Sequence, residues 1–308
     1  MRHFRSLFDI NEDEFRNILD LSHQLKRDWK IGIRPPLLAQ RSVALLFEKP
    51  SLRTRLSFEA GMTQLGGSTI YLSEDVGWQT RESTADFVRV LAEYCDIIVC
   101  RTFSHSTVEE LAGFNALPVI NGLTDLSHPC QAMADVMTME EIAGSLRGKQ
   151  VTFVGDANNV CRSLAAASLM AGMRFRLLGA EPYYFEPSWL QKVKARIPTA
   201  DIEQSADADE ALREADFVYT DVWTSMGQEA ESELRRKVFA PLQVSTSLMK
   251  KAPPHCRVLH CLPARRGEEI TDEVIDSANS SVIQQAGNRM HLQKGLLVWL
   301  GRQNGWDV

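Results

Sequence analysis

The sequence predicts an α/β protein of two doubly wound parallel-sheet domains joined by interdomain helices. Apolar runs of strand length, such as Val43-Ala44-Leu45-Leu46 and Ile97-Ile98-Val99-Cys100, alternate with stretches whose apolar residues keep helical spacing. That alternation is the signature of strand–helix–strand crossovers, which bury a parallel sheet on both faces. A second series of the same kind opens at Val151-Thr152-Phe153-Val154-Gly155-Asp156. The length of 308 residues suits about two domains of ~150 residues each.

Taken in order, residues 11–28 read as an amphipathic helix through Phe15, Ile18, Leu19, Leu21 and Leu25. Pro35-Pro36 breaks the chain before the first strand, 42–46. Residues 56–65 keep helical spacing at Phe58, Met62 and Leu65, and Gly66-Gly67 stops that helix. A second strand follows at 69–72, then a polar, mobile loop over 73–83 that contains Gly77 and Trp78. A helix at 84–94 leads to the strand 97–100, with Arg101 just past its end. Another helix, 107–114, leads to Pro118-Val119-Ile120. Pro129 fits the first turn of a helix running to about Ile142, the expected bridge between domains. Further strands are expected at 174–178, 216–220 and 257–260, and a final helix at 282–300.

Composition narrows the function. Lys and Arg total 34 against 40 Asp and Glu, a net charge of −6, whereas a nucleic-acid binder would more often be basic, so the local cluster at 49–55 suits a small anion. No apolar run approaches the ~18 residues of a membrane span. Residues 1–6 lack the apolar centre of an export signal. The cysteines at 95, 100, 130, 161, 256 and 261 form no CxxC pair. A reduced, cytoplasmic chain is expected.

In a doubly wound sheet, ligands gather at the carboxyl ends of the strands. In the first half those ends carry Lys49, Ser51, Arg53, Thr54, Arg55 and Arg101, with His128 and Gln131 at the bridging helix. In the second half they carry Asp156, Asn158 and Asn159, then Asp221, Ser225, Met226 and Gly227, then His260, Cys261 and Leu262. The first set suits a phosphorylated group and the second an ammonium group, as in a site for two substrates held between two domains. Residues 51–55 fall at a strand-to-helix turn, where free N–H groups and the helix dipole favour an anion. They equally fit a capped, solvated basic helix start. His128 also reads as a helix-capping histidine, and Cys261 as a buried structural thiol. Residues 155–159 lack the G-x-G-x-x-G fingerprint, which disfavours a nicotinamide-dependent dehydrogenase. His255-Cys256 and His260-Cys261 bracket one predicted strand and should lie ~16 Å apart, too far to share a metal.

Together these motifs resemble one family, the aspartate/ornithine carbamoyltransferases. The resemblance runs nearly end to end, from His3-Phe4-Arg5-Ser6-Leu7 to the C-terminal helix. Phe47-Glu48-Lys49-Pro50-Ser51-Leu52-Arg53-Thr54-Arg55 looks like the carbamoyl phosphate motif, and His128-Pro129-Cys130-Gln131 like its second motif. Asp221-Val222-Trp223-Thr224-Ser225-Met226-Gly227 looks like the ornithine loop. His260-Cys261-Leu262-Pro263-Ala264 looks like the motif of the ornithine branch; the aspartate branch has proline in place of that cysteine.

The resemblance implies carbamoyl transfer from carbamoyl phosphate to the δ-amine of L-ornithine, in arginine biosynthesis, with no metal or organic cofactor. It implies carbamoyl phosphate ligands at Ser51, Leu52, Arg53, Thr54, Trp78, Arg101, His128, Gln131, Cys261, Leu262 and Arg289. It implies ornithine ligands at Asn159, Asp221, Ser225 and Met226, and catalytic roles for Arg101, His128, Gln131, Asp221 and Cys261. The implied domains are 1–133 for carbamoyl phosphate, with the C-terminal helix at about 286–308 packing back on it, and 134–285 for ornithine. A homotrimer is implied as well. Leu52, and Trp78 in its polar loop, match the branches that take N-acetylornithine or N-succinylornithine, which are the second reading. Trp78 there reaches the neighbouring subunit's site, although it could instead fold back on its own domain. An inactive structural or regulatory paralogue would need a lost site residue, and Arg101, His128, Asp221 and Cys261 are all present.

Overall fold

The computed structural model describes residues 1–73, 76, 78, 80–224 and 229–308. The chain divides into two units, one of Met1–Met137 with Asn288–Val308 and the other of Thr138–Gly287. The first is built on four parallel strands, β1 (Ser42–Phe47), β2 (Ser68–Leu72), β3 (Ile97–Arg101) and β4 (Val119–Leu123), in the order β2-β1-β3-β4. The second has five parallel strands, β5 (Gln150–Val154), β6 (Arg174–Leu178), β7 (Asp201–Ser205), β8 (Phe217–Thr220) and β9 (Arg257–His260), in the order β7-β6-β5-β8-β9.

Both orders contain a reversal. From β1 the chain crosses to β2 on one side and later to β3 on the other. From β5 it crosses to β6 on one side and later to β8 on the other. Each reversal leaves a crevice at the carboxyl ends of the two central strands, the place where open α/β sheets bind ligands. Ser51 and Arg101 lie at the ends of β1 and β3, and Asn159 and Asp221 follow β5 and β8, at these two crevices.

Local chemistry explains the elements. Helix α1 (Glu12–Lys30) starts with a capping box: Asn11 Oδ1 accepts from Glu14 N at 2.8 Å, and Glu14 Oε2 accepts from Asn11 N at 2.9 Å. Its Phe15, Ile18, Leu19 and Leu25 are buried. Helix α2 (Leu52–Gln64) starts at Ser51 and stops before Gly66, whose φ of +81° is costly for any other residue. Helix α3 (Thr84–Tyr94) and helix α4 (His105–Gly113) flank β3 in the chain, and α5 (Pro129–Ala143) begins in the first unit and ends in the second.

Two expectations needed adjusting. Arg101 is the last residue of β3, paired with Phe47 and Leu123, and does not stand past it. β7 had no counterpart in the sequence reading, because Asp201-Ile202-Glu203-Gln204-Ser205 has a single apolar side chain. It is an edge strand, and an edge strand needs neither alternation nor a second buried face.

In the second unit, α6 (Asn159–Met170) follows β5, α7 (Pro187–Arg196) follows β6, and α8 (Ala208–Leu212) follows β7. Helices α9 (Ser232–Phe239) and α10 (Thr246–Met249) precede β9, and α11 (Asp272–Ile275) and α12 (Val282–Gln303) close the chain. Within the first unit α12 lies directly on α1. A Cβ at Gly295 would stand 2.8 Å from Ser22 N and 2.9 Å from Ile18 O. Backbone cannot yield as a flexible side chain does. Gly295→Ala is therefore expected to destabilise the protein by about 1–3 kcal/mol, as overpacking does, with the urea-unfolding midpoint as the measurement. An unchanged midpoint would contradict this close approach of the two helices.

Candidate active site

In the first unit, Ser51 is the N-cap of α2, and its hydroxyl accepts the Thr54 amide at 3.4 Å. Thr54 is wholly buried. Its Oγ1 accepts from Arg289 Nη2 on α12 at 2.8 Å and from Ser51 Oγ at 3.1 Å. A residue 235 positions away in the chain is thereby brought to the first turn of α2. The turn thus combines a helix N-terminus, two hydroxyls and a buried guanidinium, a set that suits a phosphate. Leu52 and Arg53 lie in that turn, Leu52 exposed and Arg53 half-buried. Arg55 serves elsewhere: it bonds Glu59 at 2.8 Å and stacks on Tyr71. The buried Lys49 has its ammonium 4.1 Å from the centre of the Phe103 ring.

The neighbouring strand end supplies Arg101, whose carbonyl accepts from Glu48 N at 2.9 Å. His128 is buried just before α5. Burial, then the positive charges of Arg289 and Arg101, hold its pKa well below the ordinary value. It is therefore a neutral imidazole, able to donate one hydrogen bond and accept another. Cys130 is structural: its thiol bonds the Asn121 carbonyl at 3.4 Å, and burial pushes its pKa up to about 12. Gln131 is buried, and its Nε2 donates to Asp135 at 2.8 Å. Trp78 stacks on Phe87 with ring centres 5.9 Å apart, against the core beside β1 and β3.

In the second unit, Asp221 follows β8. Its Oδ1 accepts from Val222 N at 2.8 Å and from Cys261 Sγ at 3.0 Å, and its Oδ2 from Asn158 Nδ2 at 3.4 Å. Asn158 also caps α6 by accepting from Cys161 N at 2.9 Å. Asn159, in the first turn, accepts from Val160 N at 3.0 Å. Asp156 bonds Arg235 at 2.7 Å, and burial pushes its carboxyl upward. Cys261 follows β9, and Leu262 holds a left-handed φ of +58°. The Leu262 amide donates to His260 Nδ1 at 2.8 Å, which fixes this strained turn. Ser225 and Met226 lie outside the described residues.

Ligand atoms of Asp221, His260 and Cys261 lie within 4.8 Å of one another, close enough for one cation. His260 is nevertheless committed. Its Nδ1 accepts from Leu262, so its Nε2 carries the proton and faces Glu269 at 3.0 Å. A metal there would have to break a buried hydrogen bond.

Residues 2–141 match the family description "Aspartate/ornithine carbamoyltransferase, carbamoyl-P binding domain", and residues 147–300 match its "Asp/Orn binding domain". The chain belongs to the aspartate/ornithine carbamoyltransferase family. An ornithine carbamoyltransferase of Anoxybacillus flavithermus is 46% identical over 300 residues, spanning 96% of each chain. An anabolic ornithine carbamoyltransferase of Pyrococcus furiosus is 46% identical over 297 residues, 94% of this chain and 93% of that one. The solved ornithine carbamoyltransferase from Pyrococcus furiosus has a TM-score of 0.93 at 44% identity, covering 97% of this chain and 96% of that one.

Two features of this carbamoyltransferase chain went unread in the sequence. Asp135 stands four residues after Gln131 on α5, a spacing that places both on one helix face and was legible. Arg235 is buried among Asp156, the Trp223 carbonyl and Tyr183. Nothing in its exposed-looking surroundings, Leu234-Arg235-Arg236-Lys237, marks it.

The depressed pKa of His128 gives a stability prediction. Between that pKa and the ordinary value of ~6.5 the unfolded chain binds more protons than the folded one. The contribution is complete above pH ~6.5 and is lost as pH falls toward the depressed value. His128→Asn should therefore flatten the acid loss of unfolding midpoint between pH 7 and pH 5. Parallel curves for the two proteins would refute a buried neutral imidazole.

Proposed function

We propose that this chain is an enzyme transferring the carbamoyl group of carbamoyl phosphate to the δ-amine of L-ornithine, giving L-citrulline and phosphate. The observation that carries this is the Asp221–Cys261 bond at the ends of β8 and β9. It offers a carboxylate to an ammonium group, where the aspartate branch would have proline. We read residues 1–133 with the C-terminal helix as the carbamoyl phosphate domain and 134–285 as the ornithine domain. The anabolic relative supports a place in arginine biosynthesis.

The chemistry follows from the groups available. A free alkylammonium has a pKa of ~10.4 and must lose a proton before it can attack. Asp221 and Cys261 orient this amine, with Asn159, Ser225 and Met226 holding the rest of ornithine. Ser51, Leu52, Arg53, Thr54, Arg101 and Arg289 hold the phosphate. The amine nitrogen bonds the carbamoyl carbon, and Arg101 with neutral His128 stabilises the oxyanion that forms. The bond to the phosphate oxygen then breaks, and the phosphate leaves with the second amine proton. Gln131 accepts from the carbamoyl nitrogen, and Cys261 with the Leu262 carbonyl meets the reacting end. We further read the enzyme as a cytoplasmic homotrimer with Trp78 completing a neighbouring subunit's site: the scattered cysteines support the first, the family resemblance supports the trimer, and the role of Trp78, which here stacks on Phe87 of its own unit, rests on its match to the acylornithine branches.

Formation of the ureido product should be abundant with L-ornithine, as citrulline, and negligible with N-acetyl-L-ornithine or N-succinyl-L-ornithine, as the corresponding N-acylcitrulline. The reverse preference would transfer the assignment to an acylornithine branch. Arg101→Ala and His128→Ala should each lower kcat by about 10²–10³ with the fold intact, the usual cost of one oxyanion donor. A wild-type kcat in either variant would remove that residue from the mechanism. kcat/KM for ornithine should rise from pH 6 to pH 9 as the amine deprotonates, and a flat profile would argue against attack by the free amine.

A further inference from the structure

An amide side chain presents an acceptor and a donor on nearly identical atoms, and its neighbours decide which one faces a ligand. Gln131 is 1% exposed and Asp135 wholly buried. They stand one helical turn apart on α5, and Gln131 Nε2 donates to Asp135 Oδ1 at 2.8 Å. The Asp135 carboxylate is the acceptor of this bond. It therefore holds the amino end of the amide, and the oxygen end must point away. Gln131 Oε1 is buried and accepts no hydrogen bond from any described residue. A buried acceptor without a donor costs free energy, so this oxygen is poised for a ligand N–H.

We propose that Asp135 is a positioning residue that fixes the Gln131 amide so that Oε1 faces the carbamoyl nitrogen, making the site specific for an amide-bearing acyl phosphate. This rests on the reading of carbamoyl phosphate as the substrate. A carbamoyl group ends in an NH2 and an acetyl group in a CH3, so only the former can donate to Oε1. With Asp135 replaced by asparagine, the neighbour can donate as well as accept. The Gln131 amide can then turn its own NH2 outward, setting donor against donor.

The test measures binding by calorimetry of two stable probes. Phosphonoacetamide carries the carbamoyl NH2, and acetonylphosphonate replaces it with a methyl group. Asp135→Asn should weaken phosphonoacetamide about tenfold, the scale of one lost hydrogen bond, and leave acetonylphosphonate nearly unchanged. Gln131→Ala should show the same selective loss, and the double variant should lose no more than Gln131→Ala alone. Asp135→Ser takes the same comparison if the asparagine chain does not fold. Equal weakening of both probes, additive losses, or an unchanged phosphonoacetamide affinity would each overturn the proposal while leaving the substrate reading in place. Failure of the unsubstituted chain to bind phosphonoacetamide at all would overturn both.

Discussion

A parallel strand cannot turn back onto its neighbour through a hairpin. The chain must cross over the sheet, and that requirement organises both units. A strand with neighbours added on both sides forces successive crossovers to diverge, and the divergence opens a crevice at its carboxyl end. β1 and β5 are those strands. Ser51 and Arg101 stand at the first crevice and Asp221 and Asn158 at the second because strand pairing puts these chain ends side by side. The interiors of the central strands β1, β3, β5 and β8 are buried and packed, so the polar chemistry of the crevices gathers where the hydrogen-bond ladder stops.

The two crevices solve opposite electrostatic problems. The first gathers positive charge: Arg289 is buried on Thr54, and both Arg289 and Arg101 act on His128. Buried cations are expensive unless an anion shares the site. The imidazole meets that cost by staying neutral, which keeps it a donor without adding a third charge. The second crevice gathers an acceptor. Asp221 receives N–H or S–H bonds from Val222, Cys261 and Asn158, so the orientation of its carboxylate is set by the fold itself.

Rigidity comes from a few buried polar contacts that join loops. Arg235 bonds Asp156 and the Trp223 carbonyl at 2.7 and 3.0 Å and stacks over Tyr183, linking the loops after β5, β6 and β8. Removing one partner of such a pair leaves a buried charge behind, which is why these contacts hold loops firmly even though the intact pair adds little net stability. In the first unit the close seat of Gly295 on α1 fixes the course of α12 and so the position of Arg289.

Much of this was legible in residues alone. Apolar runs of strand length and period-3.6 spacing located most of the strands and the long helices, since a parallel strand is buried on both faces and an amphipathic helix on one. Ser51, Arg101, His128, Asp221 and Cys261 were legible as polar residues at strand and helix ends. β7 was not, because an edge strand of mostly polar residues borrows its conformation from β6. Nor could the sequence assign a partner to any of these side chains. Arg53 and Arg55 are near neighbours of one type, yet Arg55 is spent on Glu59 and Tyr71. The sequence determined which groups stand at the ends of strands. Tertiary structure decided their state: His128 is neutral because folding buries it and then sets two arginines beside it, and Gln131 is oriented because α5 winds Asp135 beneath it. Charge and hydrogen bonding act through space, and distance in space is set only once the chain has folded.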